Sequence, residues 1–187
     1  MTVVKTRVEL FLAHLDRLSG GVEPQFLPIE STHAGLKGLT AITYLNLPEP
    51  GLLTAVTYGL SLADHSEWRF GKPELSICVR SSDLIWARTM ALIAEQLRSQ
   101  CPFSYGNTLN FDEPISKDSA LDGFAIFAPL AIERDDAKVD VGDKLPIHIV
   151  GCYPTHSSER RFIGEKGLEA FWELDWDPYD VSRSPAV

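Results

Sequence analysis

The side chains of this sequence best suited to chemistry are five histidines, three cysteines and the adjacent carboxylates Asp112/Glu113 and Asp135/Asp136. A Cys–His pair would serve nucleophilic acyl transfer, and two convergent carboxylates would serve acid–base hydrolysis. Spacing supports neither. Cys78 or Cys152 can be drawn with any histidine, and no interval favours one choice. The acidic pairs sit in polar connecting segments, where neighbouring side chains need not converge on a substrate, so they read as solvated loop charges. His14, His33, His65, His148 and His156 contain no i,i+4 pair of the kind that binds zinc from one helix face. The widely spaced Cys78, Cys101 and Cys152 form no CxxC pair and read as buried thiols of a reducing, cytoplasmic compartment. The clear strand-to-helix junction, Arg80 to Asp83, lacks the glycines of a phosphate-binding loop, and no GxSxG elbow occurs. The expectation is a chain with no catalytic set, no metal site and no cofactor.

Charge and exposed aromatics offer a different chemistry, that of binding. The formal charge is −9, with 9 basic and 10 acidic residues in positions 1–100 and 8 basic and 16 acidic in positions 101–187. An acidic second half repels nucleic acid and anionic membrane and attracts a basic protein surface. Glu133, Asp135, Asp136, Asp140 and Asp143 crowd one connection and are the candidate rim of such an interface. Trp68 and Tyr105, in neighbouring polar loops, are the candidate exposed anchors, since a few buried aromatics carry most binding energy. The competing reading is that the acids are ordinarily solvated and the aromatics cap the core.

Those residues must be held by recognisable elements. Val4, Val8, Phe11, Leu12, Leu15 and Leu18 recur at helical spacing, and Ser19-Gly20-Gly21 stops the helix. Residues 22–38 read as an extended connection. LTAITYLNL and LLTAVTYGLS, joined by Pro48-Glu49-Pro50-Gly51, read as antiparallel strands, the second apolar on both faces and therefore central. Gly59, ending that strand, is expected at a bulge or close approach, with Leu60 facing the core. In ELSICVR, Leu75, Ile77 and Val79 share one face, while Glu74 and Arg80 mark the emerging ends of the other. Ser81 to Leu97, with Trp86, Met90, Ile93 and Leu97 on one stripe, is the longest clean helix. A loop over residues 103–121 precedes a strand through Phe124, Ile126 and Ala128. After the acidic connection comes the strand IHIVGCY, with His148 on a sheet face near a polar opening. A last helix carries Phe162, Leu168, Phe171 and Trp172 and is weakened by Gly164 and Gly167. The tail beyond it reads as loosely attached.

At 187 residues, 44% hydrophobic and 23% charged, the chain is long enough for a substantial core and too apolar for disorder. No apolar run reaches the length of a membrane span, and the amphipathic N-terminus has no signal-peptide core. One domain over 1–187 is expected, its core at about 38–172, with an α+β fold in which a mixed, largely antiparallel sheet is packed by helices.

The order of particular segments carries a resemblance. ValThrTyrGlyLeuSer at Val56–Ser61, ProGluLeuSerIleCysValArg at Pro73–Arg80, the helix with Trp86 and PheSerTyrGlyAsn at Phe103–Asn107 follow one another, then the strands at Gly123–Pro129 and Leu145–Tyr153 and the helix at Ser158–Trp172. In this order the sequence resembles a bacterial single-domain member of the suppressor-of-fused-like family. The resemblance implies the same α+β fold, no catalytic triad or metal ligands, and a protein-binding role. Eukaryotic relatives restrain a transcription factor in a cleft beside a second domain, for which this chain is too short. Many bacterial relatives resemble immunity proteins, so the expected function is a non-enzymatic protein-binding domain that neutralises a polymorphic toxin with a basic surface. The alternatives are a regulatory or structural domain, or an enzyme of a type its motifs do not reveal.

Overall fold

The computed structural model describes residues 5–187. In chain order its elements are α1 (Arg7–Ser19), β1 (Gln25–Pro28), β2 (Thr40–Leu45), β3 (Leu52–Tyr58), a 3-10 turn (Leu60–Leu62), β4 (Lys72–Arg80), α2 (Ile85–Leu97), β5 (Thr108–Asn110), β6 (Gly123–Phe127), β7 (Lys138–Val139), β8 (Ile147–Thr155), α3 (Ser157–Lys166) and α4 (Leu168–Trp172). The eight strands form one sheet in the order β1-β2-β3-β4-β8-β6-β5, with β7 also pairing β8. All pairings are antiparallel except β4 with β8, which run parallel from Lys72↔Ile147 to Ser76↔Gly151. The fold is therefore the mixed, mostly antiparallel α+β arrangement expected from the alternating strands and periodic helices.

The helix α1 starts where Thr6 and Glu9 form a reciprocal capping box and stops at Gly20, whose left-handed conformation (φ 66°) suits a residue without Cβ. Val4, expected on its apolar stripe, lies outside the described residues. Phe11 and Leu15 pack on Ile42, Val56, Ile147 and Ile149 on one face of the sheet. On the opposite face Trp86, Met90 and Ile93 of α2 pack with Leu53, Ala55, Leu75, Ile77 and Val79. Alternate residues of β3 thus enter different cores, as its two apolar faces require. A third, smaller cluster joins Ala125, Ile163 and Phe171 beneath α3 and α4.

Several elements differ from the sequence expectation. The helix α2 begins at Ile85, not Ser81, because Asp83 accepts from the Ile85 amide at 2.9 Å and its carboxylate serves the first turn from outside the helix. The strands β1, β5 and β7 are too short, at 4, 3 and 2 residues, to show alternation. The last helix is broken at Gly167, with φ 92°, into α3 and α4. Glu74 does not emerge from the sheet: it is wholly buried. The tail is tied down as well. The Arg80 amide donates to Tyr179 O at 2.7 Å, and the Arg183 guanidinium holds the buried Glu159 carboxylate, with one N–H···O bond of 2.8 Å. Ala186 N also donates to Glu159 at 2.9 Å.

Candidate functional site

A large cleft opens at one end of the β4–β8 parallel pair, and the loops around it are positioned from below by buried polar groups. Gly59 ends β3 with φ 122°; a Cβ there would lie 3.0 Å from Gly38 O and 3.2 Å from Leu39 Cα, so the close approach needs glycine. The chain then turns through Leu60–Leu62 over Glu74. That carboxylate accepts from the Thr57 hydroxyl (2.7 Å), the amides of Gly59 (2.9 Å), Leu60 (3.3 Å) and Ser61 (3.0 Å), and the Ser61 hydroxyl (2.6 Å). Burial pushes the Glu74 carboxyl up and these donors pull against it. Beyond the turn, Lys72 Nζ donates to Ala63 O and to the Asp64 carboxylate, closing the base of the 63–71 loop.

The closed loop carries the near wall of the cleft. Trp68 lies inward, 9% exposed, its indole N–H donating to Pro102 O at 2.9 Å, which joins this loop to the segment carrying Phe103, Ser104 and Tyr105. Phe70, two residues on, is 83% exposed at the rim. Tyr105 is 56% exposed and rests edge-on against Phe127 at 5.3 Å, the outer ring of a cluster continuing through Trp172. The buried Pro73, Phe103, Ile149 and Val150 make an apolar floor, and Arg134, Asp135 and Lys138 make the far wall. The volume of the cleft is about 750 Å³, within the range of about 300–1,000 Å³ typical of binding clefts.

His148 projects from β8 into this space. Burial, with Lys138 adding to it, holds its imidazole below the ordinary histidine value, so it is neutral at neutral pH. Gly71 lies against the ring: a Cβ there would stand 2.9 Å from each of three imidazole atoms. The expectation of a sheet-face histidine near a polar opening is met.

Of the seven residues read as an interface, the structure brings Trp68, Tyr105 and Asp135 to the same cleft. The expectation that both aromatics are exposed holds for Tyr105 and fails for Trp68, which is drawn into the core because its indole has a backbone acceptor and an apolar bed. Glu133 and Asp140 are exposed on the same connection. Asp136 and Asp143 are engaged internally, with Arg17 at 2.8 Å and Arg7 at 2.7 Å, and they fasten α1 to that connection. The acids therefore divide between rim and internal clasp. Phe70, Arg69, Arg134 and Lys138 are the residues sequence reasoning missed; an aromatic between Arg69 and Gly71 in a polar loop was the signal for Phe70.

No cysteine is among the residues lining this cleft. Burial pushes the thiols of Cys78, Cys101 and Cys152 up, away from the reactive thiolate. Among the described residues no three His, Cys, Asp or Glu side chains are grouped to hold a metal ion, and no helix is long and apolar enough to cross a membrane.

The comparisons agree with this architecture. The chain aligns over 94% of its length, and 94% of the other's, with a SUFU homologue from Neisseria gonorrhoeae at 19% identity and TM-score 0.71. Drosophila Suppressor of Fused aligns with 96% of this chain at 11% identity and TM-score 0.70, and the present chain spans only 51% of that one. A chain of the Sufu–Fu complex aligns at 11% identity and TM-score 0.67, covering 94% of this chain and 90% of that one. No curated protein sequence matches significantly. Such low identities carry the fold alone, but the Suppressor of fused protein (SUFU) family model matches residues 35–184, most of the chain. The chain belongs to the SUFU family.

Proposed function

We propose that this SUFU-family chain is a non-enzymatic protein-docking module and that the cleft beside β4 and β8 is its docking face. The observation that carries the reading is Phe70, 83% exposed on a loop braced from beneath, opposite Tyr105 and above an apolar floor. A large aromatic held in water beside a preformed cleft with an apolar floor is a surface whose burial awaits a partner. The presence of a chain of this fold in the Sufu–Fu complex supports a binding role. The test is a photo-crosslinking amino acid in place of Phe70, with the same group at the exposed Lys117 as control. In the native cell a specific adduct to another polypeptide is expected from position 70 only; no adduct, or the same pattern from both positions, counts against the reading.

Neutralisation of a basic toxin domain is the narrower form of this proposal. Its support is the −9 net charge and the exposure of Asp135 in the cleft wall and of Glu133 and Asp140 on the same connection. Electrostatic steering by such a rim acts on association rate and fades with salt. Against the product of a neighbouring toxin gene, Glu133→Lys with Asp135→Lys is expected to slow association and flatten its salt dependence. Unchanged kinetics would remove the acidic rim from the mechanism. A cytoplasmic location belongs to the same proposal and draws on three free cysteines.

A further inference from the structure

The molecule carries a charge of −9, yet the lining of the cleft runs the other way: Arg69, Arg134 and Lys138 stand against Glu67 and Asp135. None of these three cations has an ion-pair partner or a side-chain hydrogen bond among the described residues, whereas Arg160 and Arg183 lie on carboxylates within the fold. An excess of exposed, unpaired cations over carboxylates in a lining is complementary to an anion. The apolar floor between them lowers the local dielectric, which strengthens that attraction. Lys138 is also the cross-strand partner of His148, so an anionic oxygen reaching one lies beside the other.

We propose that the cleft selects an acidic segment of its partner, an extended stretch that sets a carboxylate side chain near Lys138 and Arg134 and an aromatic or aliphatic side chain against Phe70 and Tyr105. The proposal rests on the cleft being the docking face and adds the chemistry of what enters it. Binding by this route is linked to protons. The charged groups around His148 are Lys138 on β7, Arg134 and Asp135 in the loop before it, and Arg69 and Glu67 in the loop before β4; β4 itself contributes the uncharged Pro73. Burial and Lys138 keep the free imidazole neutral, while a ligand carboxylate favours its protonated form. Protonation on binding makes affinity rise as pH falls.

The probe is a displayed library of random peptides of about twelve residues, selected on the intact chain, with the best binder then synthesised. Asp or Glu beside an aromatic or aliphatic residue is expected among the selected sequences. Replacing that acid by its amide, or substituting Lys138→Glu in the chain, is expected to weaken binding about tenfold, and Phe70→Ala by at least as much. Affinity is expected to rise between about pH 8 and about pH 6, and His148→Asn to abolish that rise. All three side chains are at least partly exposed, and an unchanged thermal midpoint confirms that each variant folds. Neutral or basic peptides that depend on Phe70 would overturn the acidic selection and leave the docking face standing. Binders indifferent to Phe70→Ala and Tyr105→Ala, or no enrichment at all, would overturn both.

Discussion

Glu159 shows how one buried side chain can organise a terminus. Burial alone would push its carboxyl up, but Arg183 and the amides of Ala186 and His156 outweigh burial and hold it below its usual value of 4.5. A depressed carboxylate contributes stability that is present above the unfolded value and lost as pH falls through the folded one. Arg183→Met leaves that charge buried without its partner, and is expected to cost about 3–5 kcal/mol at neutral pH. Urea unfolding should show the deficit shrinking in acid, as Glu159 becomes protonated; a deficit that stays constant down to about pH 3 would contradict this account. At Glu74, replacement by Gln turns an acceptor into an amide that must face donors, for an expected loss of about 1–3 kcal/mol in the same assay. Gly59→Val is expected to lower the thermal midpoint, since the new Cβ meets backbone at 3.0 and 3.2 Å in a left-handed conformation.

Among the elements, α2 was the most legible, because four apolar residues at helical spacing leave little freedom about which face is buried. Trp86 and Met90 are 1% and 0% exposed, and Trp86→Ala is expected to cost about 3–5 kcal/mol by denaturant unfolding. A loss below about 1 kcal/mol would contradict its place in the core. The short strands β1, β5 and β7 were illegible for the opposite reason: at two to four residues they exist only because a longer neighbour offers them a ladder. The tail was misread because composition near Pro178 and Pro185 says nothing of distant acceptors. Its anchors, Arg80, Ser119 and Glu159, come from three separate parts of the chain.

Across the whole molecule, the parallel pairing of β4 with β8 joins residues more than seventy positions apart, for example Leu75 with Val150. Closing so long a loop comes before its contacts stabilise anything, so refolding followed by tryptophan fluorescence is expected in the milliseconds-to-seconds range; microsecond folding would contradict a barrier set by this pairing. The same long-range pairing explains what could be read and what could not. Alternation in β3 and β4, helical stripes in α1 and α2, and the glycine stop at Gly20 are local consequences of side-chain direction and backbone freedom, so sequence alone determined the α+β class, the central strand and most of the core. The order of motifs likewise determined the family. The cleft was decided only by tertiary structure, because it joins loops from positions 67–71, 102–105 and 134–138 with β8. Whether Trp68 faces water or core depended on the carbonyl of Pro102, and whether Asp136 and Asp143 face a partner or α1 depended on Arg17 and Arg7. Those partners are set by packing across the sheet, which no local pattern of residues encodes.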